Sequence, residues 1–205
     1  MKFSQKITAI STVLLLTFLT SCVETVVVGS VAAGVVVTRE KSVSSTQKDV
    51  RISAAIVTEF VKNGLKNPGN FVDVMVNEGR VLLTGSVADP QKAKLAQVLA
   101  WNVAGVKEVI DEVQLNAEAW IKLEDVSNIF TDHAITAEAE TKLFFERHVS
   151  SRNYKITTSN RVTYLLGVAS SNEEVERALA VISKIRGVEK VVNHVILKND
   201  PRRNG

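Results

Sequence analysis

The chain repeats itself once, and that repeat constrains the fold more than any other feature. Val81-Leu82-Leu83-Thr84-Gly85 is answered by Thr163-Tyr164-Leu165-Leu166-Gly167, and Ala104-Gly105-Val106 by Arg186-Gly187-Val188, each pair 82 residues apart. Asp49-x-x-Ile52-Ser53 matches Asp132-x-x-Ile135-Thr136 with a shift of one residue. Self-similarity in register over this length means two copies of one small unit. A copy of about 67 residues builds only a modest core, so packing the copies together helps both.

Each copy supports the same local reading. In the first, Ile52, Ala55, Ile56 and Phe60 stand at helical spacing, with Ser53 or its neighbour as N-cap and Asn63-Gly64 as the stop. Val72, Val74 and Val76 alternate, Asn77-Glu78-Gly79 turns the chain, and the alternation resumes from Val81 to Val87, which predicts a β-hairpin. Asp89-Pro90 is an N-cap followed by proline at N1; it opens a helix that Gly105 ends, before a strand through Val109 to Leu115. The second copy predicts a helix over Thr136–His148, strands over Tyr154–Thr158 and Val162–Val168, a helix over Asn172–Ile185 and a strand over Val188–Leu197. The class is therefore α+β: two tandem αββαβ units over residues 49–116 and 132–198, each a three-stranded sheet packed on two helices. Between them, residues 117–131 include Trp120, Ile121, Leu123, Val126, Ile129 and Phe130. That is too apolar for a free linker, so the connector is expected to dock, leaving residues 199–205 as a tail.

The N-terminus carries a second signal. Lys2 and Lys6 precede an apolar run from Ile7 to Leu19, and small residues follow, which are the three parts of a secretory signal peptide over residues 1–21. As a helix, that run would rise about 20 Å, short of the roughly 30 Å hydrocarbon core a span must cross. Cys22 is the sole cysteine. Leu19-Thr20-Ser21-Cys22 resembles a bacterial lipobox, which implies cleavage before Cys22 and acylation of its thiol. The second residue of the mature chain is then Val23 rather than the aspartate associated with inner-membrane retention, which argues for the outer membrane. Residues 22–48 are expected to be an acylated N-terminus and linker, polar and turn-prone over Thr38–Lys48. Within it, Val26 to Val37 is too short to span a bilayer and suits a bilayer interface, a protein surface or an extended tether.

Without its first 21 residues the chain holds 23 basic and 22 acidic side chains, so the high isoelectric point reflects no basic field and no nucleic-acid surface. Residues 49–116 sum to −1 and residues 132–198 to +2, which makes the second unit the more basic. No H-E-x-x-H, G-x-S-x-G or phosphate-binding glycine loop occurs, and His133, His148 and His194 are not spaced as metal ligands. Neither a catalytic residue, a metal site nor a cofactor is expected. His133 and His194 read as surface residues, and Trp101 and Trp120 as core or inter-unit packing before a partner surface.

The hairpin with its glycine and the later Gly-Val before the last strand resemble the BON domain of bacterial envelope proteins, and two such units behind a lipobox resemble the dual-BON outer-membrane lipoproteins. That resemblance implies binding of anionic phospholipid, facing the outer-membrane inner leaflet from the periplasm, and support of envelope integrity. It places the contact on the first helix of the second unit, here Ala134, Ile135, Ala137, Thr141, Lys142, Phe145 and Arg147. Ala134 stands where such relatives offer an aromatic wedge, and Glu138 and Glu140 add negative charge, so either lipid contact is weaker here or Phe144, Phe145, Lys142 and Arg147 on the following turns supply it. The other reading is a lipid-tethered adaptor that binds another envelope protein.

Overall fold

The computed structural model describes residues 43–116 and 123–203. The first repeat contains α1 (Val43–Lys62), β1 (Lys66–Asn67), β2 (Asn70–Asn77), β3 (Arg80–Val87), α2 (Pro90–Trp101), β4 (Glu108–Asp111) and β5 (Gln114–Leu115). The second contains α3 (Leu123–Phe145), β6 (Tyr154–Ser159), β7 (Val162–Ala169), α4 (Asn172–Ile182) and β8 (Lys190–Leu197). With β4 and β5, which both pair with β3 in parallel, counted as one interrupted strand and the two-residue β1 set aside, each half runs helix, strand, strand, helix, strand. The two-residue β1, absent from the sequence reading, adds an edge beside β2.

In both sheets the hairpin is antiparallel and the last strand joins it in parallel, as an intervening helix requires. The registers coincide: Val72 faces Gly85 and Tyr154 faces Gly167, while Val81 faces Val109 and Thr163 faces Val191. A Cβ at Gly85 would collide with the Phe71 carbonyl oxygen, and one at Gly167 with that of Asn153. The backbone of the neighbouring strand approaches too closely for any side chain.

The repeated Asp-x-x-Ile has a structural reason that spacing alone does not reveal. Asp49 accepts hydrogen bonds from the backbone N–H groups of Glu78 and Gly79, both at 3.0 Å. Asp132 does the same for Asn160 and Arg161, at 2.7 and 2.9 Å. One buried carboxylate per unit therefore clamps the first helix to the hairpin turn. Three residues on, Ile52 lies against Gly105 and Ile135 against Gly187, two glycines with φ of +93° and +97°. Only a residue without Cβ takes that conformation in contact with an isoleucine.

Helix starts were the least legible part. α1 begins at Val43, inside the segment read as linker, and α3 begins at Leu123, inside the segment read as connector. Residues 45–48 and 127–130 continue the two helices past the core with mostly exposed side chains, because nothing in them breaks a helix. The connector's apolar residues do not all dock either: Ile129 is half exposed and Phe130 is 71% exposed. Trp120 and Ile121 lie outside the described residues. α2 follows expectation, with the Asp89 carboxylate accepting from Gln91 N–H and Pro90 in the first turn.

One core lies between each sheet and its helices. In the first, Ile52, Ile56, Phe60, Val72, Val81 and Leu83 pack with Ala96 and Ala100. In the second, Ile135, Ala139, Leu143 and Leu165 pack with Ala178 and Ile182. The opposite faces of the two sheets meet each other through Leu82, Tyr164 and Leu166, with Met75, Ile110, Val162 and Val192 around them. The alternation of β3 and β7 makes both faces apolar and sets the order of layers: helices, sheet, sheet, helices.

Equivalent positions of the repeats touch across this interface. His194 Nε2 lies 2.9 Å from Glu112 Oε1, and the two residues are 82 apart, the repeat offset. Such self-correspondence marks a pseudo-twofold pair. His194 is thus a partly buried interface residue, not the surface residue expected. Arg80, only 3% exposed, pairs with Glu108 and donates to the His194 carbonyl. The C-terminal tail returns to the first unit, where Arg203 grips both oxygens of Glu78 and Arg202 reaches Glu108.

Candidate functional site

α3 has one face in the core and one in solvent, and the division falls at helical spacing. Asp132, Ile135, Ala139 and Leu143 point inward. Diametrically opposite, Phe130, Ala134, Ala137, Thr141 and Phe145 form a stripe of exposed residues, with Phe144 beside them. Phe130 and Phe145 are 15 residues apart, which places the two rings about 22 Å apart along the axis. Phe145 is 76% exposed, and its ring meets Phe144 edge to face at 5.1 Å. Three aromatic side chains on one uncovered helix face exceed the scatter of single apolar residues on an ordinary surface.

Beside this stripe runs a groove of about 540 Å³ between α3 and α4. Phe145, Ala180 and Val181 supply its apolar wall, and Lys142, Arg177 and Lys184 its cations. Glu146 also lines it, and Glu138 holds Lys142 at 3.4 Å, so the groove is moderately rather than strongly basic. The pseudo-equivalent positions in the first unit are Glu59 for Lys142, Leu95 for Arg177 and Asn102 for Lys184. The same fold forms there without the three cations, so packing does not demand them.

Of the residues the sequence pointed to, Ala134, Ala137, Thr141, Lys142, Phe145 and Arg147 are exposed, with Arg147 in the turn after α3. Ile135 is the exception. At 3% exposure against Gly187 it belongs to the core and has no surface to offer a ligand. Cys22 lies outside the described residues. Sequence reading missed Phe130, assigned to the connector, and Arg177 and Lys184 on α4. The signal for Phe130 was present, since the 3.6-residue spacing of the stripe continues through it. The pairing of α4 with α3 is a tertiary fact that no local pattern carries.

Trp101, expected in the core or in inter-unit packing, is 52% exposed at the end of α2 and is not a core residue. Arg203 of the tail is paired with Glu78 of the first unit, and Arg202 is held by Asp200 and reaches Glu108 at 3.5 Å. Among the described residues no group of three or more His, Cys, Asp or Glu side chains is placed to hold a metal ion. Nor, among them, is any helix long and apolar enough to cross a membrane.

This duplicated unit is one already defined in other proteins: the model of the BON domain matches residues 48–117 and again 131–199. The chain belongs to the BON-domain family. It is 33% identical over 155 residues to an uncharacterized protein in the gshII 5′ region of Anaplasma centrale, covering 76% of this chain and 98% of that one. It is 27% identical to the outer membrane lipoprotein DolP of Haemophilus influenzae, over 85% of this chain and 88% of the other. Osmotically-inducible protein Y of Escherichia coli is 30% identical over 69% of this chain and 71% of its own length.

Proposed function

We propose that this protein is an outer-membrane lipoprotein, anchored through Cys22 and facing the periplasm, whose second BON domain docks on anionic phospholipid and thereby supports the envelope. The observation that carries the reading is the exposed Phe130–Phe145 stripe beside a groove lined by Lys142, Arg177 and Lys184. Rings enter the boundary between headgroup and acyl chain while cations meet the phosphates. The likeness to a lipoprotein of the outer membrane supports the location.

The magnitudes suit a tethered protein. Full burial of a phenylalanine side chain contributes about 1.5–3 kcal/mol, and the interface reaches only part of that. Each basic residue near an anionic surface contributes about 1 kcal/mol, reduced here by Glu138 and Glu146. Such contacts hold weakly on their own. An acyl anchor raises their effective concentration, so they serve to orient the domain rather than to retain it.

The test is sedimentation of the full chain carrying Cys22→Ala with vesicles of phosphatidylglycerol or of phosphatidylcholine. The acidic vesicles are expected to carry it down at low salt, and added salt or Lys142→Glu with Lys184→Glu to release it. Retention in the supernatant with both lipids at low salt rejects the reading, and favours an adaptor for which the lipid is only a tether.

A further inference from the structure

A groove larger than that between α3 and α4 lies on the other domain. Between α1 and α2 is an open trough of about 970 Å³, floored by Ile52, Ala55, Leu99 and Val103. Lys48, Arg51 and Lys107 stand at one end of it, beside the hairpin turn at Gly79. Lys48 and Arg51 are exposed on one face of α1 and make no ion pair among the described residues, while Lys107 donates to the Arg203 carbonyl. Glu59, at the far end, is paired with Lys62. Asp49 and Glu78 also line the end near Gly79, but Asp49 is engaged by the Glu78 and Gly79 N–H groups and Glu78 by Arg203, so the trough is cationic at that end and apolar along its length.

The second repeat shows that the fold does not require those charges. The positions equivalent to Lys48, Arg51 and Lys107 are Thr131, Ala134 and Glu189. One repeat carries three cations around this site and the other carries none at the same places.

We propose that the α1–α2 trough of the first BON domain is a docking groove for an acidic peptide segment of a partner protein, with carboxylates at Lys48, Arg51 and Lys107 and apolar side chains over Ala55, Leu99 and Val103. Charge favours a peptide over a single acyl chain, which would leave Lys48, Arg51 and Lys107 without an anionic partner. Ser45 to Glu59 spans about 21 Å of helix, which six or seven extended residues match. An open trough of that length suits a segment with one polar and one apolar side. Orientation excludes the bilayer as occupant, a step that rests on the function proposed above. The sheets meet back to back, so α1–α2 and α3–α4 are opposite outer layers. With α3 on the membrane, the trough opens away from it.

Two fluorescein-labelled ten-residue peptides, identical in their leucines and differing only in glutamate or lysine between them, test this by anisotropy against the full chain carrying Cys22→Ala. The glutamate peptide is expected to bind at least about tenfold more tightly. Lys48→Glu with Arg51→Glu should weaken it about tenfold or more, since each exposed charge pair contributes modestly and both are reversed. Ala55→Trp, which fills the floor without touching a charge, should abolish binding, and circular dichroism verifies that both variants fold. Binding unchanged by these substitutions overturns the proposal. So does displacement of the peptide by phosphatidylglycerol vesicles from a chain carrying Phe130→Ser and Phe145→Ser, which would make the trough a lipid surface. Vesicle sedimentation is read separately: its loss with peptide binding intact counts against the α3 reading alone.

Discussion

Replacing Asp132 by alanine removes a single carboxylate that holds a strained turn. Asn160 and Arg161, the central residues of the second hairpin, have φ of +50° and +61°, and neither is glycine. The left-handed conformation costs an ordinary L-residue roughly 1–2 kcal/mol, less for asparagine. What holds the turn is a pair of hydrogen bonds from its amides to Asp132, at 2.7 and 2.9 Å. Bonds to a charged acceptor contribute about 1.5–3 kcal/mol each, and water recovers part of that because the turn is exposed. Asp132→Ala is therefore expected to destabilise the protein by about 2–3 kcal/mol. With a urea m-value of about 1–3 kcal/mol per molar, that moves the unfolding midpoint by about 1 M or more. Hydrogen exchange at the Asn160 and Arg161 amides should accelerate in the same variant. Arg161→Gly removes strain, and Arg161 gives up only an exposed contact with Glu189 at 3.7 Å, so stability should rise by about 0.5–1 kcal/mol. Gly79→Ala, the converse change in the first turn, should destabilise, because its Cβ would lie 2.7 Å from the Gly105 carbonyl oxygen. A midpoint that Asp132→Ala leaves unmoved, or exchange at the turn no faster than in the parent, refutes the reasoning.

Gly187→Ala should cost at least about 1–2 kcal/mol, since φ is +97° and the new Cβ would stand 3.0 Å from Ile135 Cδ1; adding Ile135→Val should recover part of the loss in the same urea titration. Leu82→Ala, in the layer between the sheets, should cost about 2–5 kcal/mol by chemical unfolding although it touches neither helix-side core. The Asp200 carboxyl is held at about 2, against 3.8 ordinarily, chiefly by hydrogen bonds from the Arg202 side chain. A lowered folded pKa means that this contact stabilises fully above about 3.8 and is lost as pH falls through 2, so the amide signals of Arg202 and Arg203 should hold steady at neutral pH and shift only in strong acid. Cys22→Ala should reduce membrane association, read by cell fractionation, more than any single substitution on α3.

How much of this was legible in sequence depended on whether the cause was local. The hairpins, the Asp89-Pro90 helix start and the order of elements follow from alternation, capping and turn residues, and the repeat supplied each inference twice. The start of α3 did not follow, because residues 127–130 carry no break and no buried side chain, and their apolar members Ile129 and Phe130 suggested docking rather than helix. Tertiary causes were silent as well. Ile135 reads as a surface apolar residue on a short helix, yet it meets Gly187, 52 positions away. His194 reads as an exposed strand residue until the second sheet is laid against the first. Glycines 85 and 167 were visible as landmarks, but the approach of the neighbouring backbone that requires them is a matter of packing.

The contact between Glu112 and His194 bears on how copies of this chain recognise one another. Two identical second domains meeting through the same sheet face would set His194 against His194, and two first domains would set Glu112 against Glu112. Each arrangement opposes two side chains of one kind where the native pair is complementary, and the acidic pairing also repels. Exchange of domains between molecules preserves the complementarity only if a first domain meets a second. The repeat therefore carries an asymmetric lock at a symmetric position, which steers the two halves of one chain toward each other and away from the like halves of other copies.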